Sequence, residues 1–329
     1  MAELLAVEPV VLATVVTTKG STPREVGAKM LITSQVQVGT IGGGAGEAKV
    51  FQQALEILAT GHKQLVEINL LGALGQSEGI CGGIMEVWIE RWQGDEAIAL
   101  IQEILTSLKA GQSITLLTPL VQNQAPYLFP AFPEPSENIT PSSNTFREKI
   151  SPPPTLLIVG AGHCGIALAK VAHFMGMKII VVDDRPAFAH PDKFPPDTLV
   201  IVDVVDKILD QLKTLEHLYI ALVTRNYEQD IAALRSLGNF LAGSSWQYLG
   251  IIGSIKRIKL VQQHLKTGGY NLQNFPHTYA PLGLDIGALT PEEIAVSICA
   301  EILKISRGGT GASLSIFRES IFRESIFKD

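Results

Sequence analysis

The chain has 329 residues, of which 46% are hydrophobic and 18% charged, enough apolar material for two packed domains and too much for a disordered chain. Its 32 acidic residues outnumber 26 basic ones for a net charge of -6, which excludes the basic footprint that holds a nucleic-acid backbone.

In chain order, short β-branched or alternating runs predict strands at 10–17, 28–33, 36–41, 65–70, 85–92 and 114–117, with helices at 45–59 and 96–108 where apolar residues recur at helical spacing. This N-terminal unit, residues 1–129, reads as α+β. Seven of the 18 prolines fall between Pro130 and Pro154 among Ser, Asn and Thr, the composition of a linker over 130–154. From 155 to 309 continuous apolar runs at 156–159, 178–182, 199–202, 219–223 and 249–252 alternate with helical patterns at 164–175, 206–212, 230–237, 255–265 and 291–305. Such runs are strands covered on both faces, so the second unit reads as a Rossmann-like parallel sheet and the chain as an α/β protein. The last helix opens Thr290-Pro291-Glu292-Glu293, an N-cap hydroxyl, a proline at the first helical position and two acids in the first turn. Residues 310–329 end in a SIFRE repeat whose period of five matches neither helix nor strand.

Cys81, Cys164 and Cys299 are too scattered for a disulfide framework or a zinc spacing. The opening Met-Ala-Glu, with Lys19 the first basic residue, lacks the charged start of a signal peptide, and amides, prolines and glycines interrupt both charge-free stretches, 110–133 and 150–169. The expectation is a cytoplasmic protein with no membrane span.

Gly160-Ala161-Gly162-His163-Cys164-Gly165 is a G-x-G-x-x-G turn between a strand and a helix, and Asp183 closes the next strand 23 residues after Gly160. That arrangement can seat a dinucleotide or similar ligand, with Asp183 accepting from a ribose or Arg185 meeting a 2′-phosphate; equally, the fold can serve as scaffold. His163 and Cys164 read as packing residues. Gly42-Gly43-Gly44-Ala45-Gly46-Glu47 also joins a strand to a helix, either as an anion nest or as a tight turn. Ser21 and Arg24 lie in the first hairpin turn, where Arg24 can present a two-pronged donor. Cys81, flanked by Gly79, Gly82 and Gly83, is an accessible thiol suited to metal or sulfur. Gly75-Gln76-Ser77-Glu78-Gly79 fits a nucleophile elbow by spelling alone, because a glycine-rich loop and a strand follow it instead of a helix. A P-loop, a zincin motif and a Tyr-x-x-x-Lys pair are absent from the sequence.

Taken together, GSTPREVGAKM (20–30), GTIGGGAGE (39–47), CGG (81–83), VGAGHCGIALA (159–169), VDDR (182–185), GIIGSIKR (250–257) and PLGLDIGALTPEEIAVSICAEIL (281–303) resemble the XdhC/CoxI family, over nearly the whole chain to about Gly309. Where members often carry Thr-Arg-Gly-His, this chain has Thr224-Arg225-Asn226-Tyr227. The resemblance implies an N-terminal XdhC/CoxI domain, a C-terminal Rossmann domain, and a non-catalytic role in maturing molybdenum hydroxylases such as xanthine dehydrogenase. It further implies that the protein binds molybdenum cofactor (molybdopterin), assists its sulfuration by a cysteine desulfurase, inserts it into the apoenzyme, and forms a homodimer. Ser21, Arg24, Gly42, Gly43, Gly44, Glu47, Cys81 and Gly82 are then cofactor contacts, with Cys81 the metal ligand, and Gly160, Gly162, Gly165, Asp183 and Arg185 form the nucleotide site. The alternative is an NAD(P)-dependent oxidoreductase using the Rossmann crevice.

Overall fold

The computed structural model describes residues 1–70, 82–129, 144–272 and 275–314, in two compact units that meet at Pro152 and Pro153. The G-x-S-x-G spelling, most of the Pro-rich stretch and the SIFRE repeats lie outside the described residues.

The first unit runs α1 (Ala2–Leu5), β1 (Val10–Gly20), β2 (Lys29–Ile32), β3 (Gln37–Gly39), α2 (Gly44–Thr60), β4 (Gln64–Asn69), β5 (Gly83–Trp92), α3 (Gly94–Lys109), β6 (Ile114–Pro119), β7 (Tyr127–Leu128) and β8 (Thr145–Ile150). Its main sheet is antiparallel, in the order β3-β2-β1-β5-β4. Strand β1 sits at the centre and alternates from Val10 to Val15, before a register shift between Val15 and Thr17. Val11, Ala13 and Val15 pack with Val50, Ala54 and Ile57 of α2, while Val10 and Leu12 join Trp92 beneath α1 and α3. The period of two feeds two cores from one strand.

Strand β8 falls inside the segment expected to be linker. Its residues pair antiparallel with β6, Leu116 opposite Glu148, and Glu148 forms an ion pair with Lys29 of β2. Composition averaged over 25 residues concealed six that pair as a strand, so the linker reading fails for 145–150.

The second unit comprises β9 (Thr155–Val159), α4 (His163–Phe174), β10 (Lys178–Val182), β11 (Leu199–Ile201), α5 (Leu209–Leu212), β12 (Leu218–Leu222), α6 (Tyr227–Gly243), β13 (Tyr248–Ile251), α7 (Ile255–Thr267), β14 (Thr278–Tyr279) and α8 (Pro291–Arg307). All its strands are parallel, ordered β11-β10-β9-β12-β13-β14. This is the doubly wound Rossmann order, whose direction reverses between β9 and β12 and leaves a crevice at the strands' carboxyl ends. Leu156, Ile158, Tyr219 and Ala221 face α4 and α8, whereas Leu157, Ile220 and Leu222 face α6 and α7.

Helix α8 carries the expected Thr290 N-cap and Pro291 start, and Glu293 completes a capping box with Thr290. Helix α6 is longer than the 230–237 expected. Asn226 caps its start by accepting from the Gln229 N–H, and Gly238, inside the helix, lies where a Cβ would stand 2.5 Å from the Tyr270 ring. Packing thus explains that glycine. The helix expected at 206–212 is a 3-10 turn at 205–208 followed by the single turn of α5.

One buried network fixes the far wall of the crevice. Asp230, with no exposed surface, accepts from Thr224 Oγ1 at 2.7 Å and Arg257 Nε at 2.8 Å. Arg257 Nη2 also donates to the carbonyls of Thr224 and Asn226, so the loop after β12 is bound to α6 and α7 at once. Removing one partner strands the other charge in the interior. Asp230→Ala should therefore lose about 3–5 kcal/mol of unfolding free energy in urea titrations, and unchanged stability would show that the pair does not hold this wall.

Candidate functional site

In the N-terminal unit three sequence-distant loops come together. Gly20 pairs with Gly83 across β1 and β5; a Cβ on Gly83 would collide with the Ser21 carbonyl, and one on Gly42 with the Pro23 ring. The 20–24 turn is therefore wedged against both the Gly42 loop and the Gly82–Gly83 turn, with Ser21 and Arg24 exposed.

Gly42, Gly43 and Gly44 have φ of +136°, +78° and +70°, a run that only glycine adopts without strain. The nest they build is filled from within. Glu47 Oε2 accepts from Thr40 Oγ1 at 2.5 Å and from the N–H groups of Ile41 and Gly43 at 3.0 Å each, and Oε1 accepts from Gln37 Nε2 at 3.1 Å. Burial alone would raise this carboxyl's pKa, but those four donors outweigh it and hold it below the ordinary range. Glu47 is thus engaged by its own loop rather than presented as a ligand contact. The legible signal was an acid four residues after a glycine N-cap, close to a capping box. What stays open is the rim: nothing lies within 4 Å of where a Cβ would stand on Gly43, Gly44 or Gly82. Cys81, the expected metal ligand, directly precedes Gly82 in sequence and lies outside the described residues.

In the Rossmann unit the three glycines divide their work. A Cβ on Gly160 would stand 2.5 Å from the Val223 carbonyl oxygen, and one on Gly165 would run into the Gly160 carbonyl. Gly162 has ordinary φ and nothing within 4 Å. Two glycines let the turn close, and the third leaves room before α4, whose first turn has no side-chain cap.

Asp183 is committed elsewhere than expected. Oδ2 accepts from the Ala161 N–H at 2.8 Å and Arg185 Nη2 at 2.7 Å, and Oδ1 from the Arg185 N–H at 3.0 Å and its Nε at 2.8 Å. A carboxylate offers about four lone-pair sites, and all are used. Burial pushes its pKa up, yet the bonds from the Arg185 side chain and from the Ala161 and Arg185 N–H groups prevail and hold it at about 2. The Arg185 guanidinium also lies 3.9 Å from the Phe188 ring centroid. The expected ribose acceptor and the expected 2′-phosphate donor therefore bind each other, and the pair ties the end of β10 to the glycine turn.

Beside that pair opens a cleft of about 330 Å³, lined by Gly160, Asp184, Asp203, Val204, Thr224 and Ala233 among others. Asp184, Asp203 and Arg225 were not singled out from the sequence; their signal was the second acid of VDDR and the Arg of the loop after β12. Of the other cysteines, Cys164 has its pKa raised by burial and by nearby Glu292, and burial pushes Cys299 up to about 12, so neither is a ready thiolate. Among the described residues no three His, Cys, Asp or Glu side chains group as metal ligands, and no helix is long and apolar enough to cross a membrane.

Two experiments separate scaffold from site. Gly165→Ala should lower the melting temperature of the full chain by several degrees, because backbone must move to admit the methyl, while Gly162→Ala should leave it unchanged. The folded pKa of Asp183 lies below its ordinary 3.8, so its contribution to stability is present above about pH 4 and is lost as pH falls toward 2. Asp183→Asn should accordingly flatten the urea midpoint's pH dependence in that window; an undiminished slope would assign the acid sensitivity to other groups.

Two family models match the chain, the XdhC and CoxI family over residues 4–69 and the XdhC Rossmann domain over 156–302. The chain is 30% identical over 319 residues to a Bacillus subtilis (strain 168) protein described as a probable xanthine dehydrogenase subunit, covering 90% of this chain and 93% of that one. It is 27% identical over 309 residues to the "Uncharacterized protein YqeB" of Escherichia coli (strain K12), covering 92% of this chain and 44% of that protein. A crystal structure described as a xanthine dehydrogenase from Bacillus halodurans superimposes with a TM-score of 0.77 at 26% identity, covering 95% and 97% of the two chains. With a relative of 30% identity spanning nine-tenths of both chains and its two domains matched in order, this chain belongs to the XdhC and CoxI family.

Proposed function

We propose that this protein is an accessory factor in the maturation of a xanthine-dehydrogenase-type molybdenum hydroxylase. It binds molybdenum cofactor as cargo, holds it while a cysteine desulfurase supplies the terminal sulfur, and delivers it to the apoenzyme, acting as a homodimer and without turnover of its own. The relatives named for xanthine dehydrogenase support the association. The observation that carries the cargo reading is the convergence of the 20–24, 42–44 and 82–83 turns on one rim.

That rim suits an anionic, phosphorylated cargo. Glu47 already neutralises the inner N–H groups of Ile41 and Gly43, which leaves the α2 first-turn donors and the exposed Arg24 for a phosphate. The bare Gly43 and Gly44 allow close backbone approach. Cys81, as a thiolate, is a soft donor to molybdenum or to a transferable sulfur, and a hydroxyl is a poor substitute at neutral pH. An NAD(P)-dependent oxidoreductase is the weaker reading, because the crevice acids Asp183 and Asp230 are both bound to arginines and offer no unengaged acid-base pair.

Cys81→Ser and Arg24→Gln should each keep the wild-type melting temperature and lower activation of apo-hydroxylase at least tenfold in a reconstitution with molybdenum cofactor and desulfurase. Wild-type activation by the serine variant would remove Cys81 from the mechanism. Absence of a pterin phosphate by mass spectrometry in protein purified from a molybdate-fed host would overturn the cargo reading.

A further inference from the structure

The cleft of the Rossmann unit has a chemistry of its own, independent of the cargo reading. We propose that it takes an adenosine nucleotide with an unphosphorylated 2′-hydroxyl, its ribose held by Asp184 and its phosphate by Arg225.

The volume of about 330 Å³ lies at the small end of ligand pockets. Its walls are Val159, Val182, Val204, Val205, Ala232 and Ala233, a flat aliphatic lining suited to a purine. The exposed Asp203 also lines the cleft; one of its oxygens accepts from the Val204 N–H, and the other is the acceptor proposed for an exocyclic amine.

Asp184 differs from its neighbour in every respect that matters for a ligand. Asp183 is buried and saturated, whereas the Asp184 side chain is 42% exposed and meets Arg225, 41% exposed, at 3.3 Å. An ion pair that long and that open to water is worth little and exchanges readily. Arg225 extends from the loop after β12 and Asp184 from the end of β10, and β9 lies between these strands in the sheet. Their contact therefore spans the carboxyl end of β9, where the glycine turn leads into α4. A phosphate at the α4 N-terminus would replace Asp184 as the partner of Arg225, and the released carboxylate would accept from a ribose diol. Gln229, whose side-chain carbonyl accepts from Arg225 in its better-satisfied orientation, keeps the guanidinium on this side.

The same geometry disfavours a 2′-phosphate. Asp184 places negative charge along the ribose edge. Arg185, the cation that would compensate, donates both of its side-chain bonds to Asp183, covers Phe188 and reaches Asp184 only at 3.9 Å. Like-charge contact there makes the site selective.

Isothermal calorimetry of the full chain with NAD⁺, NADP⁺ and ADP tests this without pterin, desulfurase or hydroxylase, so its failure would leave cofactor delivery standing. NAD⁺ and ADP should bind saturably and NADP⁺ at least tenfold more weakly. Asp184→Asn should weaken NAD⁺ about tenfold and narrow its advantage over NADP⁺, and Arg225→Gln should weaken ADP at least fivefold while leaving adenosine unchanged. Both side chains are exposed, and thermal melts should find both variants folded. NADP⁺ binding as tight as NAD⁺, no binding of any nucleotide at millimolar concentration, or unchanged affinities in folded Asp184→Asn would overturn the proposal.

Discussion

The two glycine turns that lead into α2 and α4 stand on backbone N–H groups that the chain's own carboxylates satisfy. A glycine turn between a strand and a helix aims several donors at one point, and leaving them unpaired in a partly buried place costs about 1–3 kcal/mol each. Glu47 meets that demand in the first unit and Asp183 in the second. Each acid is held ionised by the donors it serves, so turn and carboxylate stabilise one another. The inner donors of each loop are thereby taken, and its outer edge at Gly43, Gly44 or Gly162 is open.

That division explains how adjacent residues acquire opposite roles. Asp183 is buried in the turn, while Asp184, one position on, is exposed to the cleft. Across the crevice Thr224 is drawn into the Asp230–Arg257 network and Arg225 is left outside it. On both walls a saturated buried residue positions an exposed neighbour, which is how a rigid scaffold presents exchangeable charge. Asn226 fits the same logic: its side chain caps α6, so the loop is anchored by a local bond.

Much of the fold was legible in the residues themselves. Continuous apolar runs placed the five major strands of the second unit, the Thr290-Pro291-Glu292-Glu293 start placed α8, and the glycine spacing placed the crevice. These signals are short-ranged, resting on side-chain period, φ preference and capping, so they survive without knowledge of any distant residue. The family resemblance drew on the same blocks, and it correctly anticipated the order of the two domains.

The pairing of lone pairs with donors was decided only in three dimensions. Asp183 meets the Ala161 N–H across 22 positions, Gly238 is explained by Tyr270, and β8 became a strand because β6 was there to pair with it. The sequence by itself determined the period of the longer elements, the turns that need glycine and the family. The tertiary structure decided which acid is spent on the scaffold and which stays exposed, because a carboxylate's few lone pairs go to whichever donors the packed chain brings within about 3 Å.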